Sequence, residues 1–391
     1  MTGVTDVHVL HVIPSVAPRY GGPSYAVVRY CRALRARGVR VTVATTNADG
    51  NGVLDVPLDQ LVEYEGVDAR FFNRRGEAFK YSPALARWLR RAARDFDVVH
   101  VHAVFSHTSL AAGRACQASG VPYVVRPLGS LDPWSLAKHA WRKRVLLWSA
   151  AGSLLRGSSG LHFTTEGERT AAGDSTGGVP ARVIPLGVDD EYLAAAPIPP
   201  GDRDRRIVVL ARFDRKKNLD RLIRAFHASA SEREGWWLTI AGAGDAAYES
   251  EIRQIASTGP AAKRIEILPW VDGERKVSLL RRAAVFATPS FQENFGLAAL
   301  EAMACGVPVL AAENVNLAPA IRQAGAGWVT GPTESELTQT LAGIMRDQIG
   351  LRRCAMNARK LAGHYTWSSA AAQLEAWYHT LAPGVSMRRE R

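Results

Sequence analysis

Short runs rich in valine and isoleucine alternate with longer amphipathic runs, and the alternation starts twice along the chain. Apolar strands separated by helices need a mostly parallel sheet covered on both faces. In the first series, residues 7–13, 39–45, 97–101, 122–125 and 160–164 read as strands. Residues 25–37 read as a helix, with Val27, Tyr30 and Leu34 on one face and Gly38 as its stop. The segment PIPPGD at 197–202 breaks the pattern and reads as an interdomain linker. The second series gives strands at 206–210, 236–241, 264–268, 285–288 and 308–311. Leu219, Leu222, Ile223 and Phe226 form a helical stripe there, with Asn218 as its expected N-cap. Residues 367–379 read as a last helix beyond the second domain. The expectation is an α/β chain of two Rossmann-like domains, 1–196 and 203–365, facing each other across a ligand cleft. The tail 366–391 is expected to pack back on the first domain.

The 391 residues suffice for two separate cores. Hydrophobic residues make up 47% and charged residues 22%, the balance of a globular enzyme. No apolar run is long enough to span a bilayer, and the apolar start, with His8, His11 and Pro14 inside it, reads as a strand and not a signal peptide. Cys31, Cys116, Cys305 and Cys354 are scattered, which argues against a disulfide framework or zinc site and fits a reducing cytoplasm. The net charge is +12, yet no helix-turn-helix spacing, zinc finger or aromatic RNA-binding signature accompanies it, so nucleic acid is not expected as a partner. Between Arg19 and Arg156 there are 21 Lys and Arg against 10 Asp and Glu. The stretches 87–94 and 138–148 are basic and aromatic at helical spacing, which suits docking on an anionic membrane surface through Trp88, Trp141 and Trp148; solvated helix faces would look the same.

The segment PSFQENFGLAALEAMACGVP, residues 289–308, carries the most chemistry. It reads as a strand end, a loop with Glu293, a helix from Gly296 to Ala304 with Glu301 inside it, and a Gly306 stop. A loop carboxylate at a strand's C-terminal end can accept hydrogen bonds from sugar hydroxyls, and a helical one can hold both hydroxyls of a ribose. The backbone N–H groups of Asn294, Phe295, Gly296 and Leu297 at the helix start can receive a phosphate. A dipole-stabilising acid and a solvated helical glutamate are the plainer reading. In VLARFDRKKNL, residues 209–219, Arg212 and Lys217 follow a strand and can meet a diphosphate. Gly21 and Gly22, in YGGP between the first strand and helix, let backbone N–H groups approach a ligand or simply turn the chain. AGAGD, residues 241–245, leaves the same two readings open.

The 289–308 block resembles the Glu-x7-Glu motif of the family 4 retaining glycosyltransferases, the group 1 glycosyl transferases, which have the GT-B fold. The resemblance extends along nearly the whole chain in the expected order of motifs. It implies that Glu293 contacts the donor sugar, Glu301 the nucleoside ribose, and Arg212 and Lys217 the diphosphate, although Ala211 replaces the family's usual glycine. DVVHVH, residues 97–102, is similar to the family's Asp-x-x-His-x-His segment; His102 matches the histidine near the donor sugar, while His100 is read as lying on the opposite side of the strand and as core. YGGP matches the first glycine-rich loop, which places Gly21 and Gly22 near the donor. RPLGSLDPW, residues 126–134, looks like a loop of polysaccharide-assembling members, so Arg126 and Asp132 fall on the acceptor side, and Glu166 in TTEGE matches a position near the cleft. Val271 after a strand end borders the base. VIPLGVD, residues 183–189, has Leu186 where the family has asparagine and is assigned to structure.

The resemblance implies a retaining hexosyltransferase that uses no cofactor beyond its nucleotide-sugar cosubstrate, and no metal, since no Asp-x-Asp pair lies near a strand end. Its acceptor is expected to be a glycan or polyprenyl-linked sugar in surface or extracellular polysaccharide synthesis, with the enzyme cytoplasmic and peripheral on the inner face of the cell membrane. A nucleotide-sugar hydrolase or epimerase on the same fold is the near alternative, and a catalytically silent sugar-binding module the distant one. The intact set Arg212, Lys217, Glu293 and Glu301 argues against the silent module.

Overall fold

The computed structural model describes residues 7–77, 79–137, 149–194, 196–230 and 235–382. They form two compact α/β units. The first holds the chain up to Leu186 together with the helix Trp367–Leu381; the second is Gly187–Thr366.

In the first unit the strands are β1 (His8–Ser15), β2 (Arg40–Thr46), β3 (Ala48–Asp49), β4 (Gly52–Val53), β5 (Leu61–Tyr64), β6 (Val67–Phe72), β7 (Val98–His102), β8 (Tyr123–Arg126), β9 (Gly160–Phe163) and β10 (Ala181–Val183). The sheet order is β10-β9-β8-β7-β1-β2-β6-β5, parallel except for the antiparallel edge pair β5 and β6, with β3 and β4 as a separate small hairpin. The two-residue period of a strand gives the sheet two different faces. Leu10, Val12, Val99, Val101 and Val125 join an apolar core with Leu85, Leu89 and Leu110 from the helices Pro83–Ala92 and His107–Ser119. His11, His100, His102 and His162 meet Tyr30 and Tyr378 from the helices Gly22–Ala36 and Trp367–Leu381. The returning helix is held by Tyr378 Oη on His100 Nδ1 (2.7 Å), an Arg37–Glu375 ion pair (2.5 Å) and Trp367 edge-on to Tyr30.

The second unit contains β11 (Asp204–Leu210), β12 (Trp237–Ala241), β13 (Ile265–Leu268), β14 (Ala283–Thr288), β15 (Val309–Ala312) and β16 (Gly327–Thr330), all parallel, in the order β13-β12-β11-β14-β15-β16. Its core joins Ile207, Val209, Leu238 and Val285 to the stripe Leu219, Leu222, Ile223 and Phe226 of the helix Leu219–Ala230. In both sheets the strand order reverses beside the first strand, at β1/β7 and β11/β14. Ligand crevices of open α/β sheets form at such points, outside the carboxyl ends of the strands.

Several expectations change. The division between units falls at Leu186/Gly187, and 197–202 lies inside the second unit. Val188 donates its N–H to Tyr365 O (2.9 Å), which closes the two chain crossings side by side, and Arg203 clamps Ile198 O and Gly306 O. Asn218 does not cap its helix: it sits at φ 57, fully buried, and donates Nδ2 to Pro289 O (3.0 Å) and Pro332 O (2.9 Å). His100 shares a face with His102, as residues two apart in a strand must; their rings stack at 4.4 Å. The basic stretch 138–148 lies outside the described residues, Trp141 and Trp148 included. Arg87, Arg90, Arg91 and Arg94 are exposed, but Trp88 packs on Phe72 and Phe96 instead of facing solvent as an anchor.

The glycines of AGAGD serve close packing. A Cβ on Gly242 would lie 1.8 Å from Ala211 O, and one on Gly244 would lie 2.3 Å from Phe213 O. Both contacts are with the loop that carries Arg212. Gly242→Ala is therefore expected to destabilise the chain by about 1–3 kcal/mol, since backbone cannot yield as a flexible side chain would. A denaturant midpoint equal to wild type would show that the loop moves freely.

Candidate functional site

In the second unit, two loops bring the basic and acidic residues together. The loop after β11 carries Arg212, Lys216 and Lys217; the loop after β14 carries Glu293. Asn218 Nδ2 bonds to Pro289 O, and Phe291 N–H bonds to Lys216 O (2.9 Å), so the loops are clasped by backbone groups on either side of the charges. Lys217 Nζ then forms an ion pair with Glu293 Oε2, both side chains largely buried. Burial alone would raise the Glu293 pKa, but Lys217, then Lys216 and Arg212, hold it below the usual carboxylate range. Glu293 is thus a carboxylate wherever the protein is folded near neutrality. Its backbone is fixed from the other side by Asn316 N–H on Glu293 O (3.0 Å), and Asn316 Nδ2 donates to Asn294 O (3.1 Å).

The helix Leu297–Ala304 starts directly after this loop. Its cap residue, Gly296, lies at φ 92, a conformation that glycine adopts without strain, and no side chain caps the helix. An uncapped N-terminus leaves N–H groups for an anion. Phe295 is buried edge-on to Tyr365, so only its backbone is available to a ligand. Val271 is buried at the end of the β13 loop. Glu301 is buried one turn into the helix, with Lys276 Nζ 2.6 Å from Oε2. Burial raises its pKa, Asp189 and Glu191 add to the rise, and Lys276 opposes it. The two carboxylates of one motif are therefore driven in opposite directions by their surroundings. Sequence reading missed Lys276: it lies in the helix Gly273–Arg282, a basic amphipathic stretch with no motif to single it out.

The first unit presents a different assembly. His102 and Arg126 end β7 and β8 and are partners in register, both buried. His11 Nδ1 and His102 Nε2 are 3.0 Å apart. A second chain of bonds fixes its own tautomers. Ile184 O can only accept, so His162 carries its proton on Nε2 (2.8 Å); His162 Nδ1 then accepts from His100 Nε2 (3.3 Å), and His100 Nδ1 accepts from the Tyr378 hydroxyl (2.7 Å). Burial is the first cause that lowers the pKa of all four histidines, with the Arg126 charge adding to it; His11 and His162 fall to about 3. His11, His100 and His102 each bring a ring nitrogen within 4.8 Å of the others, a spacing that a metal ion could use. Two features weigh against a cation there: Arg126 places a guanidinium charge beside the rings, and both His100 nitrogens are already engaged.

Among the residues expected on the acceptor side, Glu166 is exposed and pairs with Arg169 (2.7 Å). The acid that faces inward is Glu168, which sequence reading passed over. It accepts from Gly129 N–H, Thr164 N–H and the Thr164 hydroxyl, each at 2.8 Å, and so ties the 127–129 loop to the end of β9. Asp132 is half-buried before the short helix Pro133–Ala137. Gly21 lies at φ 74 and a Cβ there or on Gly22 would meet nothing within 4 Å, so these backbone groups border open space at the start of the helix Gly22–Ala36. Leu186 is buried.

Residues 195–361 match the family described as glycosyl transferases group 1, and residues 21–187 match the glycosyl transferase 4-like domain. The chain is 26% identical over 379 residues to a phosphatidyl-myo-inositol mannosyltransferase of Mycobacterium leprae, covering 94% of this chain and 95% of the relative. It is 27% identical over 421 residues to a D-inositol 3-phosphate glycosyltransferase of Jonesia denitrificans, covering 97% and 96%. Among solved structures, Anabaena HepE in complex with UDP and glucose superposes with a TM-score of 0.75 at 19% identity, over 96% of this chain and all of that one. Sucrose-phosphate synthase from Thermosynechococcus elongatus superposes with a TM-score of 0.73 at 20% identity, over 96% and 99%.

The buried histidines predict a pH dependence of stability. A histidine whose folded pKa lies below its unfolded value of about 6.5 leaves stability intact above that pH and removes it as the pH falls. Each of the four can withdraw up to about 1.4 kcal/mol per pH unit below 6.5. The urea midpoint is expected to stay level from pH 8 to 7 and to drop steeply between pH 6.5 and 5. A flat profile down to pH 5 would mean that these rings are not held neutral.

Proposed function

Given that this chain belongs to the group 1 glycosyl transferases, with the GT-B fold, and is a glycosyltransferase that takes its sugar from a nucleotide-sugar donor, we propose that the donor lies on the second unit at the β11/β14 reversal. The observation that carries this reading is the convergence of Arg212, Lys217 and Glu293 beside an uncapped helix N-terminus. In this assignment Arg212, Lys217 and the first N–H groups of the helix hold the diphosphate, Glu293 the sugar, and Glu301 the ribose hydroxyls. On the first unit, Arg126 and Asp132 are assigned to the acceptor.

The reaction we propose is retaining and metal-independent. The anomeric C–O bond to the diphosphate breaks, the acceptor oxygen bonds to the same face of the anomeric carbon, and the acceptor proton passes to the departing phosphate oxygen. Negative charge grows on that phosphate, and fixed cations and amides there lower the barrier. Glu293, already engaged by Lys217, stabilises positive charge at the sugar and is not assigned as a covalent nucleophile. The acceptor we favour is a lipid-linked glycan of surface polysaccharide synthesis, met at the inner face of the cell membrane. The exposed Arg87, Arg90, Arg91 and Arg94 support this placement by offering charge to an anionic leaflet, and one relative is named for transfer to phosphatidyl-myo-inositol. Among the described residues, no helix is long and apolar enough to cross a membrane.

The Lys217–Glu293 pair makes the mutational test specific. Glu293→Ala and Lys217→Ala are each expected to lower transfer by about 10² or more. Their effects on free nucleoside diphosphate should differ in sign. Lys217→Ala removes a cation and weakens it; Glu293→Gln releases Lys217 from its competing partner and tightens it. Titration of UDP and GDP beside a transfer assay reads both. Near wild-type turnover of both alanine variants at saturating donor would remove these residues from the site.

Since the diphosphate charge is assigned to Arg212, Lys217 and backbone N–H groups, turnover should persist in excess chelator. Loss on chelation with recovery on adding magnesium or manganese would overturn the metal-independent reading. Release of nucleotide at an undiminished rate without acceptor would favour the hydrolase.

A further inference from the structure

We propose that Arg126, together with the one free ring N–H of the His11–His102 pair, receives an oxyanion carried by the acceptor, a phosphate monoester or diester. The inference rests on the transferase reading above and deepens its acceptor side.

Arg126 is 2% exposed, and its Nε and Nη1 have no hydrogen-bond partner among the described residues. No carboxylate there lies within ion-pair distance of it either. An uncompensated guanidinium in a protein interior costs several kcal/mol, a cost that a fold does not carry without return. Glu168 is the acid in its neighbourhood, since both charges act on Tyr30, but its two oxygens are taken by Gly129 and Thr164. Tyr30 offers its ring face 5.3 Å from the guanidinium carbon, which steadies the cation and supplies no acceptor for its N–H groups.

Two other nitrogens, on rings that feel the Arg126 charge, are orphaned too. His11 Nε2 and His102 Nδ1 are buried without partners. The bond between His11 Nδ1 and His102 Nε2 consumes one proton. Whichever ring donates it, the neutral pair keeps one further N–H facing no acceptor. Arg126 acts electrostatically on both rings, and His102 is its partner across the β7/β8 ladder. An unsatisfied ring N–H and the unpaired charge and N–H groups of Arg126 therefore lie on neighbouring strands, and an oxyanion is what satisfies them. A metal ion would leave that N–H unpaired and worsen the charge.

The backbone marks the same spot. The residue after His102, Ala103, lies at φ 78, and Leu128, two after Arg126, lies at φ 60. Both are non-glycine residues in the left-handed region, a strain that structures hold where a loop must be posed for a ligand. Ala103 N–H is tied to Arg126 O (2.9 Å), so the two loops are posed as one.

The test uses the full chain with two probes: glycerol 3-phosphate by titration calorimetry, and vesicles of phosphatidylinositol in phosphatidylcholine against phosphatidylcholine alone. Arg126→Gln is expected to weaken the responding probe at least tenfold and to leave UDP and GDP affinity unchanged. Arg126→Met, in phosphate-free buffer, is expected to melt a few degrees above wild type, because an unpaired buried charge has gone. A response to glycerol 3-phosphate assigns the anion to a soluble phosphorylated acceptor; a response to vesicles alone assigns it to a lipid headgroup. Equal binding by wild type and Arg126→Gln, no response to either probe, or an Arg126→Met variant that melts below wild type would overturn the inference. Failure of wild type to bind any nucleoside diphosphate is a separate result and counts against the donor assignment instead.

Discussion

Parallel strand pairing is the constraint on which the rest of this molecule depends. A parallel strand must be re-entered from the same end, so every carboxyl end in a sheet opens on one edge. In the first unit that edge collects His102 and Arg126 from neighbouring strands; in the second it collects the loops of Arg212, Lys217 and Glu293. Neither set is contiguous in the chain. The order reversals at β1/β7 and β11/β14 send successive crossovers to opposite sides and leave room where two loops part.

The two units manage charge differently. In the second, positive and negative groups are both present, and Lys217 and Glu293 neutralise one another. In the proposed assignment a donor's diphosphate and sugar would exchange with these partners, between loops that Asn218 and Lys216 already hold. In the first unit, His162, His100 and Tyr378 satisfy one another with the rings neutral, while His11, His102 and Arg126 keep unpaired nitrogens. A polar network buried this deeply specifies its geometry closely, because each ring has one proton to place and one acceptor to find.

Glycine and polar residues that look like ligand contacts often serve the loops that hold the ligand contacts. Gly242 and Gly244 admit the backbone of the Arg212 loop, and Asn218 bridges to Pro289 O and Pro332 O. Glu168 behaves likewise in the first unit, where it poses the loop that follows Arg126.

The amino-acid sequence by itself determined the strand-and-helix alternation of both sheets, because buried parallel strands read as continuous apolar runs and their crossover helices as amphipathic ones. It also singled out Glu293, Glu301, Arg212 and Lys217, since a motif contiguous in the chain keeps its spacing whatever surrounds it. The edge strands β5, β10 and β16 escaped it, being short and half-buried, and so did β6, whose Asp68 and Arg70 interrupt its apolar run. Its linker at 197–202 differs from the division of contacts at Leu186/Gly187, because proline marks a stop in regular structure and not a change of partner. Only the tertiary structure paired Lys217 with Glu293, brought Lys276 to Glu301, turned Glu168 inward in place of Glu166, and set His11 against His102 across two strands. Those contacts join residues distant in the chain, so their energies depend on the burial and geometry that the packed sheets impose, which local spacing does not encode.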